Sequence, residues 1–245
     1  MKIIGIIPSR YASTRFPAKS LAIIKGKSMI QRVYEQARQS SALNDVVVAT
    51  DHPEIFDHVK KFGGNVCMTK PDHVSGTDRC HEALTLQRKK YEYVINIQGD
   101  EPFIQPEQID LLAGKLDGQT EIATLVKSLA SSEQLFNPNV VKVVLNQLME
   151  ALYFSRSPIP HIRNTPEQDW ISKHKFYKHI GMYAYRSDVL ERLTRLSVSS
   201  LEKAESLEQL RWIENGFKIS VAETHTETIG IDTPDDLERA VHGLK

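Results

Sequence analysis

The 245-residue sequence is short of several things, and each shortage excludes a class of protein. It has 2 cysteines, too few for a disulfide framework, so Cys67 and Cys80 read as reduced thiols of a cytosolic protein. It has no apolar run near the ~20 residues needed to cross a bilayer. The opening run from Met1 to Ile7 is stopped by Pro8, Ser9 and Arg10 and lacks a small-residue cleavage site; no signal peptide and a cytoplasmic location are expected. It has no net charge, since 31 Lys and Arg face 31 Asp and Glu. A balanced chain has no global field to draw it onto nucleic acid or an anionic membrane, so neither is expected as a partner. Any polyanion it binds must meet a local cluster of cations. It also lacks G-x-G-x-x-G and G-x-x-x-x-G-K-[ST] after its first apolar segment, which disfavours a dinucleotide oxidoreductase and a P-loop enzyme. His161, His174, His225 and His242 show no ligand spacing, so no structural zinc site is expected.

What is present is a rhythm. Lys2 to Ile7, Asp45 to Thr50, Asn65 to Met68 and Tyr93 to Ile97 read as buried strands rich in Val and Ile. Between them, Met29, Ile30, Val33, Tyr34 and Ala37 share one helical face, and further helices are expected over 53–62, 78–89 and 106–116. Strands alternating with helices predict βαβ units and a mostly parallel, Rossmann-like sheet. From about Asn137 the rhythm changes: strands at 140–145, 151–155, 178–185 and 218–222, a loop at 164–175 and one helix at 200–215. Thr233-Pro234-Asp235-Asp236 opens a last helix, with Thr as cap and Pro at the first position. The expected organisation is a nucleotide-binding α/β core over 1–129 and 218–245, with a mixed α/β lobe inserted at 130–217; the whole also counts as one domain.

In a parallel sheet, ligands sit beyond the carboxyl ends of the strands, so the loops there carry the chemistry. The loop after the first strand holds Ser9, Arg10, Arg15 and Lys19 without an acid among them. A triphosphate needs that mixture: hydroxyl and backbone donors for its oxygens, a planar Arg fork, and the point charge of a Lys. Asp100, in Gln98-Gly99-Asp100-Glu101-Pro102, follows the strand at 93–97 and suits Mg²⁺, which takes one or two carboxylates plus phosphate oxygens. Gly99 lets the backbone approach a ligand closely. Asp232, before Thr233-Pro234, is a second candidate carboxylate. Ser75 and Gly76, leading into a helix, can edge a base or a phosphate. In the second half, Arg156 can grip a carboxylate, and His179, Glu208 and Gln209 can read hydroxyls. Each feature alone also has an ordinary structural reading as a solvated loop, a turn acid or a helix cap.

Taken together, the segments IPSRYASTRFPAKSL, VATDHPEI, GGNVCMTKPDHVSGTDR, INIQGDEP, FNPNVVKVV, ALYFSRSPIP, YKHIGMYAYR, LEKAESLEQLRWIENGFKI and GIDTPDDLERA resemble the 3-deoxy-manno-octulosonate (Kdo) cytidylyltransferases, in the family's order from Ile7 to Ala240. The resemblance implies a nucleotidyltransferase-type fold and cytidylyl transfer from CTP to the anomeric 2-hydroxyl of Kdo, giving CMP-Kdo and pyrophosphate for lipopolysaccharide biosynthesis. It implies that Ser9, Arg10, Arg15 and Lys19 hold the CTP phosphates, that Ser75 and Gly76 border cytosine, and that Asp100 and Asp232 hold Mg²⁺. Gln98, Arg156, His179, Tyr183, Glu208 and Gln209 would line the sugar-acid pocket, and Arg10, Lys19, Asp100 and Asp232 would carry catalysis. A homodimer is implied too. One departure is Ala18, where the family usually has Gly; if that position needs a positive φ, Ala strains the loop. The rivals are the same chemistry on 8-amino-Kdo or a sialic acid, a transferase that consumes a nucleotide sugar and releases a nucleoside phosphate, and a nucleotide-binding regulator that makes no product.

Overall fold

The computed structural model describes residues 1–12, 16–226, 230–231 and 233–243, with the backbone alone for 240–243. Arg15 and Asp232 fall outside the described residues. The chain divides into two compact units, Met1–Ala113 with Thr228–Lys245, and Gly114–Glu227.

In the first unit, β1 (Ile3–Ser9) pairs in parallel with β4 (Asp45–Thr50) on one side and β6 (Tyr93–Asn96) on the other, and β5 (Val66–Met68) extends β4. The order β6-β1-β4-β5 is thus all parallel, and its central strands carry buried apolar runs, Ile3–Ile7 and Val46–Ala49, as strands covered on both faces do. A small hairpin, β2 (Ile23–Ile24) and β3 (Lys27–Ser28), leads into α1 (Met29–Ala37). Ser28 caps α1 by accepting from the Gln31 N–H at 3.2 Å, and Met29, Ile30, Val33, Tyr34 and Ala37 form its buried face. Burying side chains of this size stabilises the fold by about 1.5–3 kcal/mol each for the larger ones. Helices α2 (Pro53–Lys61), α3 (Gly76–Thr85) and α4 (Pro106–Ala113) follow their strands; α2 and α4 both start on proline, which has no N–H to leave unpaired.

The second unit is mixed. β7 (Ile122–Ser128) pairs in parallel with β11 (Ile219–Glu223) and antiparallel with β10 (Tyr177–Arg186); β8 (Lys142–Leu145) pairs antiparallel with β10 and with β9 (Ala151–Ser155). Its helices are α5 (Ser132–Phe136), α6 (Trp170–Lys173), α7 (Ser187–Thr194), α8 (Ser200–Glu205) and α9 (Gln209–Glu214). The second unit therefore contains β7 and β11, which the sequence reading grouped with the core. The last helix, α10 (Pro234–Gly243), belongs to the first unit and opens as expected: Thr233 Oγ1 accepts from Asp236 N at 3.2 Å, and Asp236 Oδ2 accepts from Thr233 N at 2.9 Å.

Two expectations need correction. The single helix expected over 200–215 is two, because Ser206 adopts a left-handed conformation with φ 53° and ends α8. The loop expected over 164–175 contains a 3₁₀ turn, Glu167–Asp169, and α6, whose Trp170 is buried against Leu129, Leu135 and Phe176. No helix among the described residues is long and apolar enough to cross a membrane. Among the described residues Cys67 and Cys80 form no disulfide, and burial pushes the Cys67 thiol up to about 11, so it is a poor nucleophile.

Candidate active site

In the first unit a cavity of about 370 Å³ opens beyond the carboxyl ends of β1 and β6, where a parallel sheet presents its ligands. Ser9, Arg10, Lys19, Ser75, Gly76, Gln98 and Asp100 all line it, so the structure brings together seven residues that the sequence singled out from three separate segments. Arg10 is exposed and makes no ion pair among the described residues. Lys19 donates to Asp100 Oδ2 at 2.7 Å and to the Ile231 carbonyl at 3.2 Å, which fixes a cation and an acid side by side on the cavity wall. Ser9 is buried, its hydroxyl donating to Ser20 Oγ at 2.7 Å, so it braces the loop. Ser75 caps α3 by accepting from Asp78 N at 3.1 Å, and its own hydroxyl donates to Asp78 Oδ2 at 3.0 Å.

Two loop positions behave as backbone constraints. Ala18 has φ 55° and ψ 24°, the left-handed region, so the strain foreseen for an alanine there is present in the turn that delivers Lys19. At Gly99 an added Cβ would lie 2.9 Å from the Pro8 carbonyl. The glycine is required by the close approach of two protein strand ends, where the sequence reading had assigned its freedom to a ligand.

The sequence reading missed a buried ion pair in the cavity wall. Arg79, 3% exposed, donates to Asp51 Oδ2 at 2.8 Å and to Thr69 Oγ1 at 2.6 Å, while Asp51 also accepts from Tyr11 N at 3.3 Å. The pair ties the phosphate-side loop to β4 and α3. Its signal was available, since Asp51 follows β4 as Asp100 follows β6.

The second unit gathers most of the remaining candidates. Along β10 the pairing with β7 slips between Ile180 and Tyr183, a bulge at Gly181 and Met182. Four residues of regular strand span about 13 Å, yet the His179 and Tyr183 rings lie 5.1 Å apart. Thr124 fills the bulge, its hydroxyl 2.8 Å from the Met182 carbonyl and 3.0 Å from His179 Nε2. Phe154 packs edge-on against His179 at 5.1 Å. Burial pushes His179 down to about 3, so the ring is neutral at physiological pH. Tyr183 packs at 5.0 Å edge-on to Trp212; burial first, then Tyr185 and Glu208, hold its hydroxyl well above the usual range. That hydroxyl is buried and has no hydrogen-bond partner among the described residues. Glu208 immediately precedes α9, and Gln209, its first residue, is buried. Arg156 is partly engaged already: Nε donates to the Glu205 carbonyl at 2.7 Å, one Nη to Pro138 O at 3.1 Å and the other to Ser206 O at 3.4 Å. A full bidentate fork onto a ligand carboxylate, as the sequence suggested, would require those carbonyls to let go. Gln98, grouped by resemblance with the sugar-acid residues, lies in the first unit's cavity.

A parallel sheet with cations, small residues and a carboxylate converging beyond its strand ends suits nucleotidyl transfer, and the relatives of the chain are nucleotidyltransferases. A family model described as cytidylyltransferase matches residues 4–219. The chain is 55% identical to the 3-deoxy-manno-octulosonate cytidylyltransferase of Cytophaga hutchinsonii, over 99% of this chain and 97% of the relative, and 57% identical to that of Bacteroides thetaiotaomicron, over 100% and 99%. Its fold matches a solved CMP:2-keto-3-deoxy-manno-octonic acid synthetase complexed with CTP, with a TM-score of 0.92 and 42% identity over 100% of this chain and 98% of that one. The fold alone is shared with 4-diphosphocytidyl-2C-methyl-D-erythritol synthase of Anaerococcus prevotii, at a TM-score of 0.63 and 14% identity, covering 99% of this chain and 96% of that one. The chain belongs to the family of 3-deoxy-manno-octulosonate cytidylyltransferases.

Proposed function

We propose that the protein transfers a cytidylyl group from CTP to the anomeric 2-hydroxyl of Kdo, releasing pyrophosphate and giving CMP-Kdo for lipopolysaccharide biosynthesis. The observation that carries the reading is the cavity that joins Arg10 and Lys19 to Ser75, Gly76 and Asp100, in a chain 55% identical along its length to a relative named for this activity. That identity favours Kdo over 8-amino-Kdo or a sialic acid.

The acceptor oxygen attacks the α-phosphorus in line and pyrophosphate leaves; such a transfer is mostly positioning and charge stabilisation. Arg10 forks onto phosphate oxygens, and Lys19, held by Asp100 and the Ile231 carbonyl, offsets charge that builds on the leaving pyrophosphate. Neutral His179 and protonated Tyr183 offer hydrogen bonds to sugar hydroxyls without bringing a charge. The remaining N–H donors of Arg156 suit the sugar carboxylate. No side chain is assigned as general base.

Mg²⁺ is the proposed cofactor. The donor set fits: Asp100 offers a hard carboxylate whose side chain is 32% exposed, at a strand end, and Asp232 is the second carboxylate implied by resemblance. When bound, the ion neutralises phosphate charge.

The enzyme is proposed to act in the cytoplasm as a homodimer; Leu148 and Leu152, 78% and 55% exposed on the β8–β9 hairpin, support an apolar contact there. The test is pyrophosphate release from CTP with Mg²⁺ and a panel of acceptors. Release with Kdo above a no-sugar control supports the function, and none sinks it; faster turnover of 8-amino-Kdo or a sialic acid reassigns the acceptor. Light scattering reads the dimer, and Leu148→Asp is expected to weaken it.

A further inference from the structure

His73 lines the cavity of the first unit, yet the proposed chemistry leaves it without a task. The cavity is lined by two unlike groups of residues. Arg10, Lys19 and Asp100 are charged and suited to phosphates. The other group is the segment His73-Val74-Ser75-Gly76, where the neighbouring cation Arg79 is already engaged by Asp51, Thr69 Oγ1 and the Lys70 carbonyl. A nucleotide whose triphosphate lies on Arg10 and Lys19 leaves this second group for its base. In it His73 Nε2 lies 2.5 Å from Glu82 Oε2, and the same oxygen accepts from the Lys70 N–H at 2.8 Å. Burial alone would raise the Glu82 carboxyl, but the bonds from His73 and Lys70 outweigh it and hold it below its ordinary value. An ionised carboxylate only accepts, so Nε2 carries the proton and, in the neutral ring, Nδ1 is an acceptor. Nδ1 has no partner among the described residues and is the ring nitrogen left for a ligand.

We propose that His73 is a specificity-determining residue for the base: with Glu82 fixing its tautomer, Nδ1 accepts from the 4-amino group of cytosine and turns away the 4-carbonyl of uracil. The assignment rests on the reading of the donor as CTP. A pair of substitutions separates it from a merely structural role, because the glutamine amide reaches the position of Nε2 and the asparagine amide that of Nδ1. Binding of CTP and of UTP, each with Mg²⁺ and without acceptor, is measured by calorimetry on the full chain. His73→Gln keeps the contact with Glu82 and is expected to weaken CTP on the order of tenfold, with UTP unchanged or tighter as the clash with its carbonyl is removed. His73→Asn is expected to hold CTP near wild type and to tighten UTP, because its amide turns to present N–H to the uracil carbonyl. Wild-type CTP affinity in His73→Gln, or a parallel loss of both nucleotides in either variant, overturns the proposal. If His73→Gln does not fold, His73→Asn decides by the same criterion. Base discrimination is read here without turnover, so its failure is distinct from an absence of pyrophosphate release, which would sink the transfer reaction itself.

Discussion

In the first unit the polar side chains around the cavity hold their charges against one another: Lys19 lies 2.7 Å from Asp100, Arg79 2.8 Å from Asp51, and Arg10 stands exposed. In the second unit the candidate sugar-binding groups are kept neutral. His179 is driven down to about 3, the Tyr183 hydroxyl is driven up, and aromatic rings of Phe154, Tyr185 and Trp212 surround them. The difference matches the proposed ligands. A triphosphate is bound by charge, whereas the hydroxyls of a sugar acid are read by neutral donors and acceptors in a low-dielectric setting, where an unmatched charge would cost heavily. One site should therefore fail when a charge is removed, and the other when a charge is added.

The most severe test removes a charge from the first unit. Asp100→Asn is expected to lower kcat by about a hundred- to thousandfold, with the melting temperature near wild type; wild-type pyrophosphate release would break the charged half of the comparison. Next in size is the exception within the second unit. Lys142 is fully buried, and its ammonium donates to the carbonyls of Asn137 at 2.9 Å, Val140 at 2.6 Å and Arg156. Burial lowers its pKa. Lys142→Met strands those carbonyls and is expected to cost about 3 kcal/mol, read by urea unfolding.

Smaller for each pH unit is an effect of acid. The folded pKa of His179, about 3, lies below its ordinary 6.5, so the unfolded chain takes up that proton first. The stability from keeping the ring neutral is fully present above pH 6.5 and is lost as pH falls towards 3, by up to about 1.4 kcal/mol per pH unit. His179→Gln should flatten the acid limb of a stability–pH curve; an unchanged slope would show that the ring is not kept neutral by burial. Smallest is Ala18→Gly. Releasing the φ 55° alanine is expected to stabilise by up to about 1 kcal/mol, seen as a rise in melting temperature with no loss of CTP affinity.

The parallel half of the fold was legible because it repeats one signal: a Val- and Ile-rich run, a cap or proline, then a helix with one apolar face. Asp45–Thr50 and Met29–Ala37 have the bounds or the buried face that pattern predicts. Ile122–Ser128 was missed although it carries an apolar run, since no helix signal of comparable strength follows it; α5 has five residues. The break between α8 and α9 carries no Gly or Pro. It arises from tertiary contacts, where Ser155 and Arg156 take both carboxylate oxygens and the carbonyl of Glu205 and hold the helix end there. The phosphate-side candidates were legible because they crowd at strand ends, and strand ends of a parallel sheet converge. What sequence spacing did not reveal was orientation: the engagement of Arg156 by carbonyls, the Arg79–Asp51 pair, and the bulge that brings His179 to Tyr183, whose one trace in the sequence was Gly181 inside a strand pattern.

The contact at Gly99 has an evolutionary consequence. Its place between Gln98 and Asp100 gives it the look of a reactive motif, but what fixes it is the Pro8 carbonyl 2.9 Å from where a Cβ would stand. Any lineage that changes position 99 must first move the end of β1, and with it the loop that carries Arg10 and Lys19. Selection on nucleotide binding therefore polices a residue that need not touch the nucleotide, and an inhibitor seated in this cavity meets one position where a substitution forces the strand end beside it to shift.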